Sequence, residues 1–278
     1  MSDNQQQIEY WNGPVGERWV GLQETIDASL AEITKSLLPF AAAKPGERVL
    51  EIGCGCGTAT LALAKTVEPD GSVLAVDISR PMLGLARERA KAANARIEFA
   101  EGDAAQAVFK PEFDLVFSRF GVMFFADPLS AFANIRKGLK QHGRLAFVCW
   151  RTPQENLWAS APYAAARDLL PPQEPTDPLA PGPFAFADAG RLRNILDEAG
   201  FGEIRIKPLD TTMFMGRDTA EAAAQALNIG PLAKAATGLD EGLREEIRRA
   251  VAKTMERFKT PHGITLPAAC WLVGAISP

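Results

Sequence analysis

Arg48-Val-Leu-Glu51-Ile52-Gly53-Cys54-Gly55-Cys56-Gly57-Thr58 is the stretch on which the fold turns. Its first five residues, RVLEI, are a short apolar run of strand length. Three glycines at alternate positions follow, and Thr58 to Lys65 then reads as a helix. A strand that passes through a glycine loop straight into a helix opens an α/β unit. Without Cβ atoms the loop can turn tightly and let a ligand approach the backbone. In a parallel sheet such a loop lies at the carboxyl ends of the strands, where ligands bind.

Outward from this stretch the alternation continues. Ser72 to Asp77 (SVLAVD) is a second strand and Arg80 to Ala93 its helix; Arg96 to Ala100 is a third strand. Phe113 to Ser118 is a fourth, followed by a helix over Pro128 to Leu139, and Arg144 to Trp150 is a fifth. Near-continuous apolar strands separated by helices imply a mostly parallel sheet covered on both faces. Upstream, Val15, Trp19, Leu22, Ile26, Leu30, Ile33 and Leu37 recur in steps of three and four. That spacing predicts one helix from about Glu17 to Leu38, ending near Pro39.

Past Trp150 the pattern changes. Residues 151–190 hold eight of the chain's twenty prolines and read as an irregular insertion with short helices. A helix over Ala189 to Ala199, a strand over Glu203 to Leu209, helical sequence over 217–259 and a last strand over Ala268 to Ala275 complete the chain. The expected organisation is a helical cover at 1–45, a core at 46–150, a cap at 151–190, and a return to the core at 191–278 interrupted by a helical insertion at 211–260.

The 278 residues carry a formal charge of −4, so no global basic field draws nucleic acid, which is not expected as a partner. The four cysteines show no paired framework. Cys54-x-Cys56 admits a metal or redox reading, against which small-residue filling of a glycine loop is the simpler one, and no metal is expected. The polar start lacks a signal-peptide pattern, and no apolar run approaches the ~20 residues of a membrane span. A cytoplasmic protein is expected.

Asp77 ends the second strand twenty residues after Gly57, where a carboxylate can accept bonds from both hydroxyls of a ribose. The glycine spacing is G-x-G-x-G instead of the dinucleotide G-x-G-x-x-G, and Glu51 precedes it. A carboxylate there suits a cofactor's ammonium group and repels a pyrophosphate.

With these motifs the chain resembles the class I S-adenosylmethionine-dependent methyltransferases, most closely the small-molecule group containing the "type 11" and quinone-biosynthesis enzymes. The resemblance covers residues 46–150 with specific motifs. It implies a Rossmann-like fold with a seven-stranded, mostly parallel sheet, and S-adenosylmethionine as cofactor. EIGCGCGT, with Glu51, Gly53, Cys54, Gly55 and Gly57, resembles the motif that cradles the methionine portion. Asp77 and Ile78 match the ribose and adenine-stacking positions, and Met82 a position lining the adenosine pocket. Asp103 and Ala104 match the motif contacting the adenine amino group, and Ser118 the fourth-strand exit. Gly138-Leu-Lys-Gln-His-Gly143-Arg-Leu matches a family turn in which Gln141-His142 replaces Pro-Gly. Tyr10-Trp11-Asn12-Gly13 and Arg18-Trp19 resemble relatives whose N-terminal segment folds over the cofactor; alternatively Trp11 and Trp19 only pack the first helix on the core.

Methyl transfer from a sulfonium needs little beyond alignment and exclusion of water, and no conspicuous catalytic set is present. His142 reads as an exposed loop residue, whereas His262 is the candidate base if the C-terminal part closes over the pocket. Tyr10, Arg119, Phe120, Trp150, Arg151 and Tyr163 are candidate linings of a substrate pocket. The basic residues of 244–259 alternate with glutamates and read as a solvated helix face. The expected activity is methyl transfer to a small organic acceptor by direct displacement, leaving S-adenosylhomocysteine. Alternatives are a non-catalytic module binding the cofactor or its product, and an NAD-dependent oxidoreductase. The apolar face of the first helix serves either the core or a homodimer partner.

Overall fold

In the computed structural model residues 4–173 and 177–278 are described. Residues 1–3 of the expected cover and 174–176 of the expected cap lie outside them. Four helices lead the chain, α1 (Gln5–Asn12), α2 (Pro14–Gly21), α3 (Gln23–Ser29) and α4 (Ala31–Ala41). The core then runs β1 (Arg48–Ile52), α5 (Thr58–Val67), β2 (Ser72–Asp77), α6 (Arg80–Ala92), β3 (Ile97–Glu101), β4 (Phe113–Arg119), α7 (Pro128–Arg136) and β5 (Leu139–Trp150). After α8 (Leu157–Ala166) and α9 (Ala189–Glu198) come β6 (Gly202–Gly216), α10 (Thr219–Ala226), α11 (Pro231–Ala235), α12 (Glu241–Met255), β7 (Lys259–Thr260) and β8 (Gly263–Ile276).

The strands form one sheet in the order β3-β2-β1-β4-β5-β8-β6, with β7 paired to β8. From β3 through β5 neighbours are parallel, and β8 lies antiparallel between β5 and β6. The sheet therefore has eight strands instead of the expected seven; the addition is the two-residue β7, which folds back on the start of β8. Strand β1 is flanked by β2 and β4, so the chain's direction of winding reverses there and a crevice opens at the carboxyl ends. Beyond its exposed first residue β1 is buried throughout, as a strand covered on both faces must be.

Several expectations are corrected. The single N-terminal helix is a bent helical path. Leu22 and Leu30 leave helical geometry, yet Ile26 N still donates to Leu22 O at 2.9 Å and Leu30 N to Ile26 O at 3.0 Å. Periodicity reports the buried face but not the bends. Pro39 sits inside α4 instead of ending it. Residues 211–216, expected in the helical insertion, extend β6, because β8 itself begins at Gly263 and pairs with them from Thr211↔Ala268 to Gly216↔Ile264. Strand β5 begins at Leu139, with an irregularity in its pairing to β4 between Phe113 and Leu115. Between β5 and α9 the chain holds α8, flanked by the 3-10 turns Pro153–Glu155 and Arg167–Leu169. No helix among the described residues is long and apolar enough to cross a membrane.

Candidate functional site

The crevice at the ends of β1, β2 and β4 encloses about 1450 Å³ out to its open mouth. The glycine loop forms its floor. Gly53, Gly55 and Gly57 have φ of +69°, +55° and +83°, a region that side-chain-bearing residues rarely adopt. Gly53 N donates to Val76 O at 2.8 Å and Gly55 N to the Asp77 carboxylate at 2.7 Å, which fixes the loop to the end of β2. The other Asp77 oxygen accepts from Ser79 N at 2.8 Å. Burial pushes the Asp77 carboxyl above its ordinary range, while these backbone bonds oppose the shift. A carboxylate oxygen accepts more than one hydrogen bond, so Asp77 retains capacity for hydroxyl donors.

Two neighbouring carboxylates lack what Asp77 has. Glu51 is buried at the end of β1, and its Oε2 has no hydrogen-bond partner. Burial pushes its pKa up to about 7, against the pull of the nearby Thr60 hydroxyl and of Arg119. Asp103 binds Ala105 N at 2.9 Å through Oδ1, and its Oδ2 is buried without a partner. Buried polar atoms are normally satisfied, so two orphaned acceptors on residues that line one cavity mark places where a ligand supplies donors. Together with a floor that a Cβ would obstruct, this matches a cofactor carrying an ammonium group, a ribose and an aminopurine. Among the described residues the acidic side chains in the lining are Asp27, Glu51, Asp77 and Asp103, and the one basic side chain is Arg119. Such a wall disfavours a pyrophosphate and suits a cationic ligand.

The N-terminal helices close over this floor. Asn12 donates to Ile78 O at 2.7 Å and accepts from Arg80 N at 2.9 Å, a two-point clasp on the β2–α6 turn. Ser79 Oγ donates to Trp11 O at 2.7 Å. The Trp11 ring stands edge-on to Trp19 at 5.5 Å and to Phe124 at 5.2 Å, and all three rings line the cavity. Asp27 of α3 accepts from Thr58 Oγ1 at 2.6 Å and pairs with Arg89 at 3.1 Å. Arg89 also donates to Cys56 O at 2.6 Å, tying cover, glycine loop and α6 together. Asp27 and Arg89 are not singled out by the sequence, and Asn12 is named there only as part of the Tyr10–Gly13 motif. Their only local signal is Asn12 beside Trp11, since their partners lie 31 or more residues away.

Beyond the floor the wall is aromatic and apolar. Phe120 follows β4 with φ of +66°, strained for a bulky residue. Its ring stacks on Trp150 at 4.3 Å and 14°, and Trp150 meets Trp158 of α8 at 4.8 Å. Buried Asn156 holds this corner, accepting from Trp158 Nε1 at 3.0 Å and from Ala269 N at 2.9 Å. Met123, Met213, Ile229 and Pro183 complete the wall, the last three from beyond residue 150.

Of the residues expected from sequence, Trp11, Trp19, Glu51, Gly53, Cys54, Gly55, Asp77, Ile78, Met82, Asp103, Ala104, Arg119, Phe120 and Trp150 line this cavity. Gly57 and Ser118 stand behind it. A Cβ on Gly57 would lie 3.1 Å from Ala86 Cβ, so Gly57 sets the approach of α6. Ser118 Oγ donates to Ile52 O at 2.8 Å and accepts from Gly121 N at 3.1 Å, joining the ends of β1 and β4. Tyr10 is 45% exposed outside the lining, and Tyr163 is also outside it. Arg151 is turned to Asp210 at 2.6 Å, to Glu155 and to the face of Trp271, ion-pairing at the sheet's end instead of lining the cavity. His262 is exposed in the β7–β8 turn and His142 is exposed near the start of β5 with φ of +61°; neither lines the cavity. Cys54 and Cys56 are free thiols whose pKa values burial raises, to about 11 for Cys56. Among the described residues no group of three His, Cys, Asp or Glu side chains is placed to hold a metal ion.

Comparison with known proteins bears on this geometry. A family model described as a methyltransferase domain matches residues 49–143. A demethylmenaquinone methyltransferase of Staphylococcus aureus is 29% identical over 184 residues, covering 62% of this chain and 75% of the relative. A putative methyltransferase of Bacillus halodurans superposes with a TM-score of 0.58 at 19% identity, over 88% of this chain and 98% of its own. A Haemonchus contortus phosphoethanolamine N-methyltransferase, solved with phosphomonomethylethanolamine and S-adenosylhomocysteine, gives 0.56 at 19% identity, over 89% and 52%. The matched segment carries the glycine loop, Asp77, Asp103 and β4, so the similarity to methyltransferases falls on the residues that form the floor of the cavity.

Proposed function

We propose that the chain transfers a methyl group from S-adenosylmethionine to a small, largely apolar, ring-bearing acceptor. The observation carrying this reading is the pair of orphaned buried oxygens, Glu51 Oε2 and Asp103 Oδ2, on either side of Asp77 above a glycine floor. Glu51 is suited to the ammonium group, Asp77 to the ribose hydroxyls and Asp103 to the adenine amino group. When bound, the cofactor supplies a sulfonium-activated methyl group for direct displacement, with S-adenosylhomocysteine left behind.

The remaining work falls to positioning. Trp11, Trp19 and Phe124 exclude water from above, and Phe120, Trp150 and Trp158 offer flat apolar surface on which a planar acceptor can pack. No imidazole faces the cavity, so an acceptor whose nucleophile ionises readily or carries a free lone pair suits the site best. The relative named for demethylmenaquinone makes a quinone-type ring one such acceptor to test. The enclosed wall favours small molecules over nucleic acid.

Calorimetric titration with S-adenosylmethionine, S-adenosylhomocysteine and NAD, alongside Asp77→Ala, tests the cofactor. Binding of the first two alone, weakened at least about 100-fold in the variant, is expected, since Asp77 anchors both loop and ribose through charge-assisted bonds. NAD binding in their place would overturn the reading. An acceptor screen with methyl-labelled cofactor then separates an enzyme from a module that only binds.

A further inference from the structure

Among the described residues, Arg119 at the end of β4 is the single basic side chain in a lining with four carboxylates. Its side chain is only 13% exposed. Two elements of the N-terminal cover hold it: Thr34 Oγ1 of α4 accepts from one of its terminal nitrogens at 2.9 Å, and Asp27 of α3 stands 3.7 Å from the other. Asp27 is itself already engaged by Arg89 and Thr58, which leaves the attraction to Arg119 long and incomplete. Glu51, across the same part of the cavity, attracts Arg119 without an ion pair between them among the described residues. The arrangement is a separated plus–minus pair, one member with an orphaned oxygen, beside the loop that ends in Cys56 and Thr58.

A separated guanidinium and carboxylate are complementary to an α-amino acid, whose ammonium and carboxylate are fixed on one carbon. The geometry points to Arg119 as the residue that binds the carboxylate at the amino-acid end of the cofactor, opposite Glu51, with Thr34 and Asp27 holding it there. The inference rests on the cofactor reading above and adds to it a function for the cover. Helices α3 and α4 do not merely shield the site; they position the cation that recognises one end of the ligand. Asp27 is already paired with Arg89, which leaves Glu51 and Arg119 to meet the two charges of a zwitterion entering between them.

The test compares S-adenosylhomocysteine with its decarboxylated analogue, which keeps the amine and lacks only the carboxylate. Calorimetry on the unaltered chain should show the complete ligand bound roughly 10- to 100-fold more tightly, the range expected of charge-assisted bonds. Arg119→Met should abolish most of that ratio while binding the decarboxylated analogue as well or better, since a cation has been removed near its amine. Thr34→Val, which leaves the guanidinium but frees it, should reduce the ratio in part, and it carries the test if Arg119→Met fails to fold. Equal weakening of both ligands in these variants would overturn the inference and make Arg119 structural, while the cofactor reading would stand. An unchanged ratio would overturn it also. Failure of the unaltered chain to bind either ligand would overturn the cofactor reading, and this inference with it.

Discussion

Gly53 and Gly121 touch backbone to backbone: a Cβ on Gly53 would lie 2.6 Å from the Gly121 Cα, and one on Gly121 2.8 Å from the Gly53 Cα. The loops leaving β1 and β4 are thereby closed against each other under the cavity, with Ser118 bonded to Gly121 N and Ile52 O as the tie. Gly121→Ala should destabilise the fold by roughly 1–3 kcal/mol through overpacking. Gly53→Ala should cost about 1–2 kcal/mol more because its φ of +69° is unfavourable to a residue with a Cβ. Both should lose S-adenosylhomocysteine binding. Thermal melts with and without the ligand check this; a variant that melts as before and binds as before would contradict it.

Glu51 sets a pH dependence whose sign is determined by its raised pKa. The folded protein holds the proton up to about pH 7, against an ordinary value of 4.5. Stability from this group is thus complete below pH 4.5 and is lost as pH rises toward 7, by about 3 kcal/mol in all. Glu51→Gln should therefore make the unliganded protein more stable than the parent at pH 8 and nearly equal to it at pH 4.5, as read by denaturant melts. An ammonium group favours the ionised carboxylate, so ligand affinity in the parent should rise between pH 6 and 7.5 with release of a proton. Calorimetry in buffers of different ionisation enthalpy measures that proton, and the glutamine variant should not release it.

The clasp of Asn12 on Ile78 O and Arg80 N has consequences confined to the cover. Asn12→Ala removes both bonds, each of which contributes about 1 kcal/mol. Hydrogen exchange should quicken over α1 and α2, and S-adenosylhomocysteine affinity should fall about 10-fold, with the exchange of β1 and β4 unaltered. Equal quickening across the sheet would show that the cover is not a separate element of stability.

His262 lies exposed in a turn away from the cavity. Once an acceptor is known, His262→Ala should transfer methyl groups at the parental rate with the parental pH profile. A large fall in kcat would require the β7–β8 turn to move onto the site.

The parts of this protein legible in its sequence are those whose causes are local. RVLEI followed by three glycines specifies strand, loop and helix within eleven residues, and Asp77 closes the next strand, so the glycine floor of the cavity and the carboxylate bonded to it could be read directly. Asp103, Phe120 and Trp150 were legible for the same reason, as residues at the ends of strands. Tertiary structure alone decided the walls. Asp27 reaches Arg89 across 62 residues, Asn156 reaches Ala269 across 113, and Met213 and Ile229 arrive from the far end of the chain. Hydrophobic periodicity records which face of an element is buried but not what it is buried against. For that reason the straight helix expected over Glu17 to Leu38 proved to be a bent path, and the cation it holds in place, Arg119, acquired its surroundings only when α3 and α4 closed on β4.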